Sequence, residues 1–425
     1  MTGPARRTPA PVAAVRGRPA DAEGASVPDH RMARSLWLVL LAAIIGLFPF
    51  TIYSTFLVPI AAAARAPEAW IGFLRGSGGL AALVAGVVAA PLIGRWPRKY
   101  VTAVALALLA ATSVLATSGS LAALTLFCLG TGVATALLTP ALLTLATSKY
   151  SGPGNIGRAA TMVTATQSLA AVFAGPVIGA MGLWHGWRGA LWITAAVSAL
   201  LAAGFLRGRA RDRMPAAPAP LGYIASFRAV RARPDLLVLL GVAALRTTSF
   251  MGYLAFLAVY YHDRFELTAT VFTLIWTLSG ASFFIGNYLT GRWVRDPDTV
   301  AGGHPRTVLA AGLLGALAAV LTVFHVDALP AALAASALMG FGHAVVAAQV
   351  TTLIAHRAGE VSTVAFGLNA AGMSLGVFAG SLLGGLGLAA AGYTGLAVAL
   401  ALPTLLASAL VCSSRSRWDR AESSR

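Results

Sequence analysis

The sequence predicts an all-α membrane protein with twelve transmembrane helices in two pseudo-symmetric six-helix bundles. Three observations carry this reading: twelve apolar runs of membrane-crossing length, basic residues gathered into alternate loops, and motifs that recur in the same order in both halves of the chain. Of 425 residues, 58% are hydrophobic and only 11% charged, whereas soluble domains carry roughly a quarter charged residues. Mean hydropathy is +0.78.

A hydrocarbon core of about 30 Å takes roughly 20 apolar residues to cross as a helix. Runs of that order, bounded by charge or by Gly and Pro, lie at 36–60, 70–93, 101–117, 121–146, 159–183, 189–206, 236–259, 270–291, 307–326, 330–355, 363–388 and 393–412, here numbered spans 1 to 12. Residues 1–34 are rich in Pro, Ala and Arg without an apolar core, and read as a disordered tail, not a signal peptide. The first bundle is then 35–206, a basic linker 207–235, the second bundle 236–412 and a second tail 413–425.

Orientation follows from Lys and Arg. With both termini cytoplasmic, the tails, the linker, the loops near Arg95, Lys149 and Arg292, and Arg357 all fall inside. Only Arg65, Arg188 and Arg264 fall outside, while Arg75 and Arg246 lie within spans. Such asymmetry is that of a cytoplasmic-side bias in an inner membrane. It also disposes of a nucleic-acid reading of the +17 net charge, because the basic residues follow the apolar segments. Cys128 and Cys412 lie in apolar stretches and read as buried thiols, with no disulfide framework or metal spacing.

The halves repeat each other. Leu92-Ile93-Gly94-Arg95-Trp96 after span 2 returns as Leu289-Thr290-Gly291-Arg292-Trp293 after span 8. Val172-Phe173-Ala174-Gly175 in span 5 returns as Val377-Phe378-Ala379-Gly380 in span 11, and Gly130-x-Gly132 in span 4 as Gly340-x-Gly342 in span 10. Six spans per half make the copies run in the same direction, with the pseudo-axis along the membrane normal and a substrate site between them.

These signatures resemble the major facilitator superfamily, and within it the drug/proton antiporter branch, over essentially all of 35–412. The segment Ala90-Pro91-Leu92-Ile93-Gly94-Arg95-Trp96-Pro97-Arg98-Lys99 is similar to the loop that follows span 2 in that family, with Gly94 where the family has Asp. The resemblance implies gating roles for Gly94, Arg95, Arg98, Lys99 and the repeat residue Arg292. Gly175, Pro176 and Gly179 in span 5 match the antiporter signature G-P-x-x-G, which implies export. Gly132 and Pro140 match a third pattern whose upstream Arg aligns with Cys128. The family implies alternating access with a small-molecule substrate and a proton or other coupling ion, in a monomer without cofactor or metal.

All fourteen Asp and Glu lie in loops, tails or span ends, so the spans hold no central carboxylate to attract a cation. Ionisable groups inside a membrane are costly and face a water-filled cavity or a partner. Arg246 is ten residues into span 7, about 15 Å deep, where a guanidinium suits a carboxylate or phosphate. Arg75, five residues into span 2, lies near the outer face, where snorkelling reaches the interface. His343, central in span 10, titrates near neutral pH and is the candidate proton carrier. Tyr53, Tyr253, Gln167, Gln349 and Asn369 complete the expected substrate-binding set. Spans 3, 6, 9 and 12 lack Asn, Gln and central ionisable groups, as peripheral helices of the resembled family do. Gly152-Pro153-Gly154-Asn155-Ile156-Gly157 spells a dinucleotide fingerprint without the βαβ context it needs, and no catalytic constellation appears. The expected function is proton-coupled export of a small organic molecule such as a drug, antibiotic or metabolite, with uptake or exchange of an organic anion bound by Arg246 and Arg75 as the alternative.

Overall fold

The computed structural model describes residues 27–93, 96–150, 152–208, 228–294 and 305–413. Expectations for most of the linker and both tails, and for Gly94 and Arg95, lie outside those residues, as does the side chain of Arg292.

Among the described residues the chain is helical throughout, without strands. Lipid offers the backbone no hydrogen-bond partner, so a helix that satisfies itself internally is the economical way across. Spans 2 to 10 are the helices Glu68–Ile93, Arg98–Ala116, Leu121–Thr147, Pro153–Gly182, Gly186–Arg207, Pro234–Phe265, Ala269–Val294, Pro305–Val323 and Leu329–Ala358. Spans 11 and 12 form one continuous stretch, Ser362–Ser413, which folds back at Ala391 and Gly392. Gly392 has φ +59°, a backbone that a side chain disfavours, and Gly387 and Gly395 then meet with no room for a Cβ on either. Among the described residues, eleven stretches long and apolar enough to cross a membrane therefore make twelve crossings.

Span 1 departs from a single rod. It is three helices, Asp29–Ile45, Phe48–Thr55 and Leu57–Ala64, because Pro49 and Pro59 supply no N–H to the ladder. It also starts inside the stretch read as tail. Asp29 occupies the favourable acidic position in the first turn and pairs with Arg158 at the start of span 5. The buried-thiol reading holds for Cys128 but not for Cys412, which is exposed where span 12 ends.

The duplication is visible in how the basic residues are used. Lys99, at the start of span 3, donates from Nζ to the Gly208 carbonyl at the end of span 6, 3.4 Å. Arg306, at the start of span 9, does the same for span 12, donating to the Val411 and Cys412 carbonyls at 3.2 Å each. Arg233 before span 7 donates to the last carbonyls of span 10, Arg357 and Ala358, at 3.0 and 3.1 Å. Lys149 after span 4 reaches the Ser35 carbonyl on span 1 at 2.6 Å, and partial burial lowers its pKa. Three of these cations thus cap the negative ends of helices. They gather at one end of the molecule, the basic end. The opposite end has short turns closed by left-handed residues, Arg65, His185 and Glu266. Exposed Trp37, Trp96, Tyr100 and Tyr288 girdle the basic end, and Trp70 and Trp184 the other, the pattern of two membrane interfaces.

The two motifs use their glycines in opposite order. Gly132 on span 4 packs against the Gly78 carbonyl of span 2, and Gly340 on span 10 against the Ser279 carbonyl of span 8. Gly130 in turn meets Thr112 of span 3 and Gly342 meets Gly312 of span 9, so by neighbour Gly132 corresponds to Gly340 and Gly130 to Gly342, whereas the motif paired Gly130 with Gly340. Two residues are about 200° of helix rotation, so both glycines of each motif serve opposite neighbours, and the string alone does not say which.

The halves meet along two seams, span 2 on span 11 and span 5 on span 8. Near the opposite end these seams have no spare room. A Cβ at Gly76 would collide with Ser381, at Gly79 it would stand 2.5 Å from the Ser374 carbonyl oxygen, and at Gly175 it would collide with the Thr273 carbonyl. Toward the basic end of the same four helices, Gly86, Gly157, Gly291 and Gly367 face open space. The seam is shut at one end, and the glycines toward the other end have no such neighbours.

Candidate functional site

Span 7 carries Arg246 into the interior, where it is 5% exposed. The next turn holds Thr247, Thr248 and Ser249, all buried. Thr247 and Thr248 return their own hydroxyls to the Ala243 and Ala244 carbonyls, so they occupy the backbone acceptors nearby. Arg246 donates from Nη1 to the His343 carbonyl on span 10 at 3.4 Å and from Nη2 to Thr247 Oγ1 at 3.2 Å. Both acceptors are neutral. Each of the three ion pairs among the described residues lies at a surface and none includes Arg246 or Arg75.

His343 is fully buried, and neither ring nitrogen has a hydrogen-bond partner among the described residues. Its ring lies 5.0 Å from that of Phe250, centroid to centroid. Phe250 follows Arg246 by one helical turn and stacks on Phe283 of span 8 at 5.5 Å with 17° between planes. The result is a guanidinium, an imidazole and an aromatic pair drawn from spans 7, 8 and 10.

Arg75 does not snorkel. It is 6% exposed, and its Nη1 crosses the seam to the Met251 carbonyl of span 7 at 3.5 Å. The guanidinium carbon is 5.8 Å from the Phe50 ring centroid, Tyr53 and Cys128 lie beside it, and Nε has no partner. The aligned Arg of the third family pattern is absent at Cys128, yet a guanidinium from span 2 stands next to that thiol.

The other expected residues scatter. Tyr53 is fully buried, stacks on Phe127 at 5.9 Å and donates to the Ile71 carbonyl at 3.1 Å. Tyr253 is fully buried among Phe250 and Phe324 in the second bundle's core. Gln349 is buried with Oε1 unpartnered. Gln167 is half-buried, and Asn369, also half-buried, donates to Met373 Sδ at 3.6 Å. Gly175 and Gly179 lie at the shut seam, both against Thr273, while Pro176 between them is exposed. Arg98 is half-buried near the basic end with Nη1 unpartnered, next to the capping Lys99. Sequence reasoning missed Phe50, Phe250, Met251, Phe283 and Thr273. The stripe Gly72, Gly76 and Gly79 on span 2, at helical spacing, was a legible sign of a close helix crossing.

Comparison with known proteins places this geometry. Solved structures of like fold include a bacterial homologue of the human lysosomal transporter Spinster, inward-facing and unoccupied, with TM-score 0.72, 16% identity, and 91% of this chain and 97% of that one covered. A mutant of the nucleoside transporter NupG gives TM-score 0.69 at 14% identity, covering 89% and 99%. The human organic anion transporter MFSD10 (TETRAN) gives 0.61 at 18%, covering 91% and 100%. No curated protein matches the sequence. Residues 39–363 match the Major Facilitator Superfamily, and with the twelve crossings in two bundles this chain belongs to that superfamily of membrane transporters.

Proposed function

We propose that the protein is a secondary transporter exporting a small organic molecule with an anionic group, by alternating access and in exchange for protons. The observation that carries the reading is Arg246, a guanidinium withdrawn from water whose described partners are both neutral. Burying an unpaired charge costs several kcal/mol. A carboxylate or phosphate would offset that cost through charge-assisted, bidentate bonds. His343 beside it, with both ring nitrogens unpaired, is the proton carrier in this reading.

The cationic loops support a cytoplasmic basic end, with both termini inside and the chain in the inner membrane. The described state is then open to the cytoplasm, the loading state of an exporter. Export is further supported by the likeness of Gly175, Pro176 and Gly179 to the antiporter signature, and the anionic class by the fold shared with an organic anion transporter.

Inverted membrane vesicles with an acidic lumen test the proposal, presented with a metabolite extract analysed by mass spectrometry. Anionic compounds should accumulate in the lumen, a protonophore should abolish the gain, and Arg246→Gln should remove it. If no compound accumulates relative to vesicles lacking the protein, the reading fails.

A further inference from the structure

Arg246 and Phe250 are four residues apart and therefore share one face of span 7. That face meets span 10 at His343, whose carbonyl takes Arg246 Nη1 at 3.4 Å and whose ring lies 5.0 Å from Phe250. It meets span 8 at Phe283, stacked on Phe250. Tyr253 of the same helix lies 6.2 Å from Phe250 with 21° between planes. A charged donor thus stands one turn from a group of near-parallel aromatic rings.

The polar accounting points to a ligand. A neutral imidazole offers one N–H donor and one acceptor, and His343 has neither satisfied while fully buried. Arg246 holds its place with two neutral acceptors and has further N–H groups to give. A carboxylate accepts from both side chains at once. A planar ring attached to it reaches Phe250 and Phe283, where offset or edge contacts between rings add to area burial. An aliphatic acid of similar size meets the same guanidinium without that ring contact.

We infer that the substrate class is an aromatic carboxylate, its acid group held by Arg246 and the His343 ring and its ring set against Phe250 and Phe283. This deepens the proposed function and rests on it.

Binding of three probes to the purified full-length protein in lipid nanodiscs tests it by calorimetry: 2-naphthoate, cyclohexanecarboxylate and 2-naphthamide. Wild type should bind 2-naphthoate at least about tenfold more tightly than either of the others. Phe250→Leu should bring the two carboxylates within about threefold of each other, and Phe283→Leu repeats the test should Phe250→Leu fail to fold. Arg246→Gln should erase the preference for acid over amide. Equal wild-type affinity for the two carboxylates, or an aromatic preference that survives both Phe variants, overturns the aromatic assignment. In that case a loss of carboxylate binding in Arg246→Gln would still leave the anion reading standing. If wild type binds neither carboxylate, both are overturned.

Discussion

Arg246 and Arg75 are both buried cations, but their neighbours assign them different work. Arg246 sits among neutral acceptors on the face that carries Phe250, so its charge is available to a ligand. Removing the charge relieves its desolvation but leaves the two neutral acceptors it now uses without a strong donor, so the two effects oppose each other. Arg246→Gln should therefore leave the thermal midpoint within a few degrees of wild type while weakening anion binding. A hydrogen bond to a charged group is worth about 1.5–3 kcal/mol, which is roughly a 10- to 150-fold loss of affinity. Calorimetry and a melting curve on the same sample measure both. Arg75 is different because it lies in the shut seam, where its one described acceptor across the halves is a neutral carbonyl at 3.5 Å. A desolvated charge outweighs so long a bond, so opening the seam to water relieves it. Arg75→Met should stabilise the shut seam, and Arg75→Lys should not. A cysteine at Ser381, which abuts Gly76 across that seam, should then react more slowly with a membrane-impermeant maleimide in the Met variant. Faster labelling would make Arg75 a latch.

At the scale of elements, the number and order of the helices were legible in the sequence because bilayer thickness fixes their length and composition. Their limits were less so. Span 7 runs on through Asp263 and Arg264 to Phe265, since charges beyond the hydrocarbon cost nothing to a continuing helix. The breaks in span 1 follow Pro49 and Pro59, which the apolar run concealed. Arg246 and His343 were legible as rare ionisable groups, but Phe250 and Phe283 were not, because an aromatic in an apolar helix looks the same at a site or in a core. Gly175 belongs to this scale. Its Cβ would collide with the Thr273 carbonyl, and backbone cannot move aside as a side chain does. Gly175→Val should wedge spans 5 and 8 apart and hold the opposite end open. Maleimide labelling at a Ser381→Cys site should rise several-fold, and transport should fall below a tenth of wild type. Retained transport in the Val variant would mean that the seam closes elsewhere.

In the proposed alternating access the two bundles rock against each other, and the seam contacts of the described state are the ones that must part. Span 5 meets span 8 at Gly179 and Thr273, where a Cβ built on the glycine lies 3.5 Å from the Thr273 Cβ. That separation is within the range a disulfide spans, about 3.5–4.5 Å. The pair Gly179→Cys with Thr273→Cys, in a background carrying Cys412→Ser, should therefore cross-link on oxidation. Cys128 can remain, because it is fully buried. The bond ties one bundle to the other at the shut end without touching Arg246, His343 or Phe250. Oxidised protein should still bind an anionic probe from the basic end with affinity within about threefold of the reduced form, yet carry no substrate across the bilayer. A reductant should restore transport. Loss of binding together with transport would mean that the seam and the site are one structure. Transport that continues through the cross-link would mean that the bundles do not move apart along spans 5 and 8 at all.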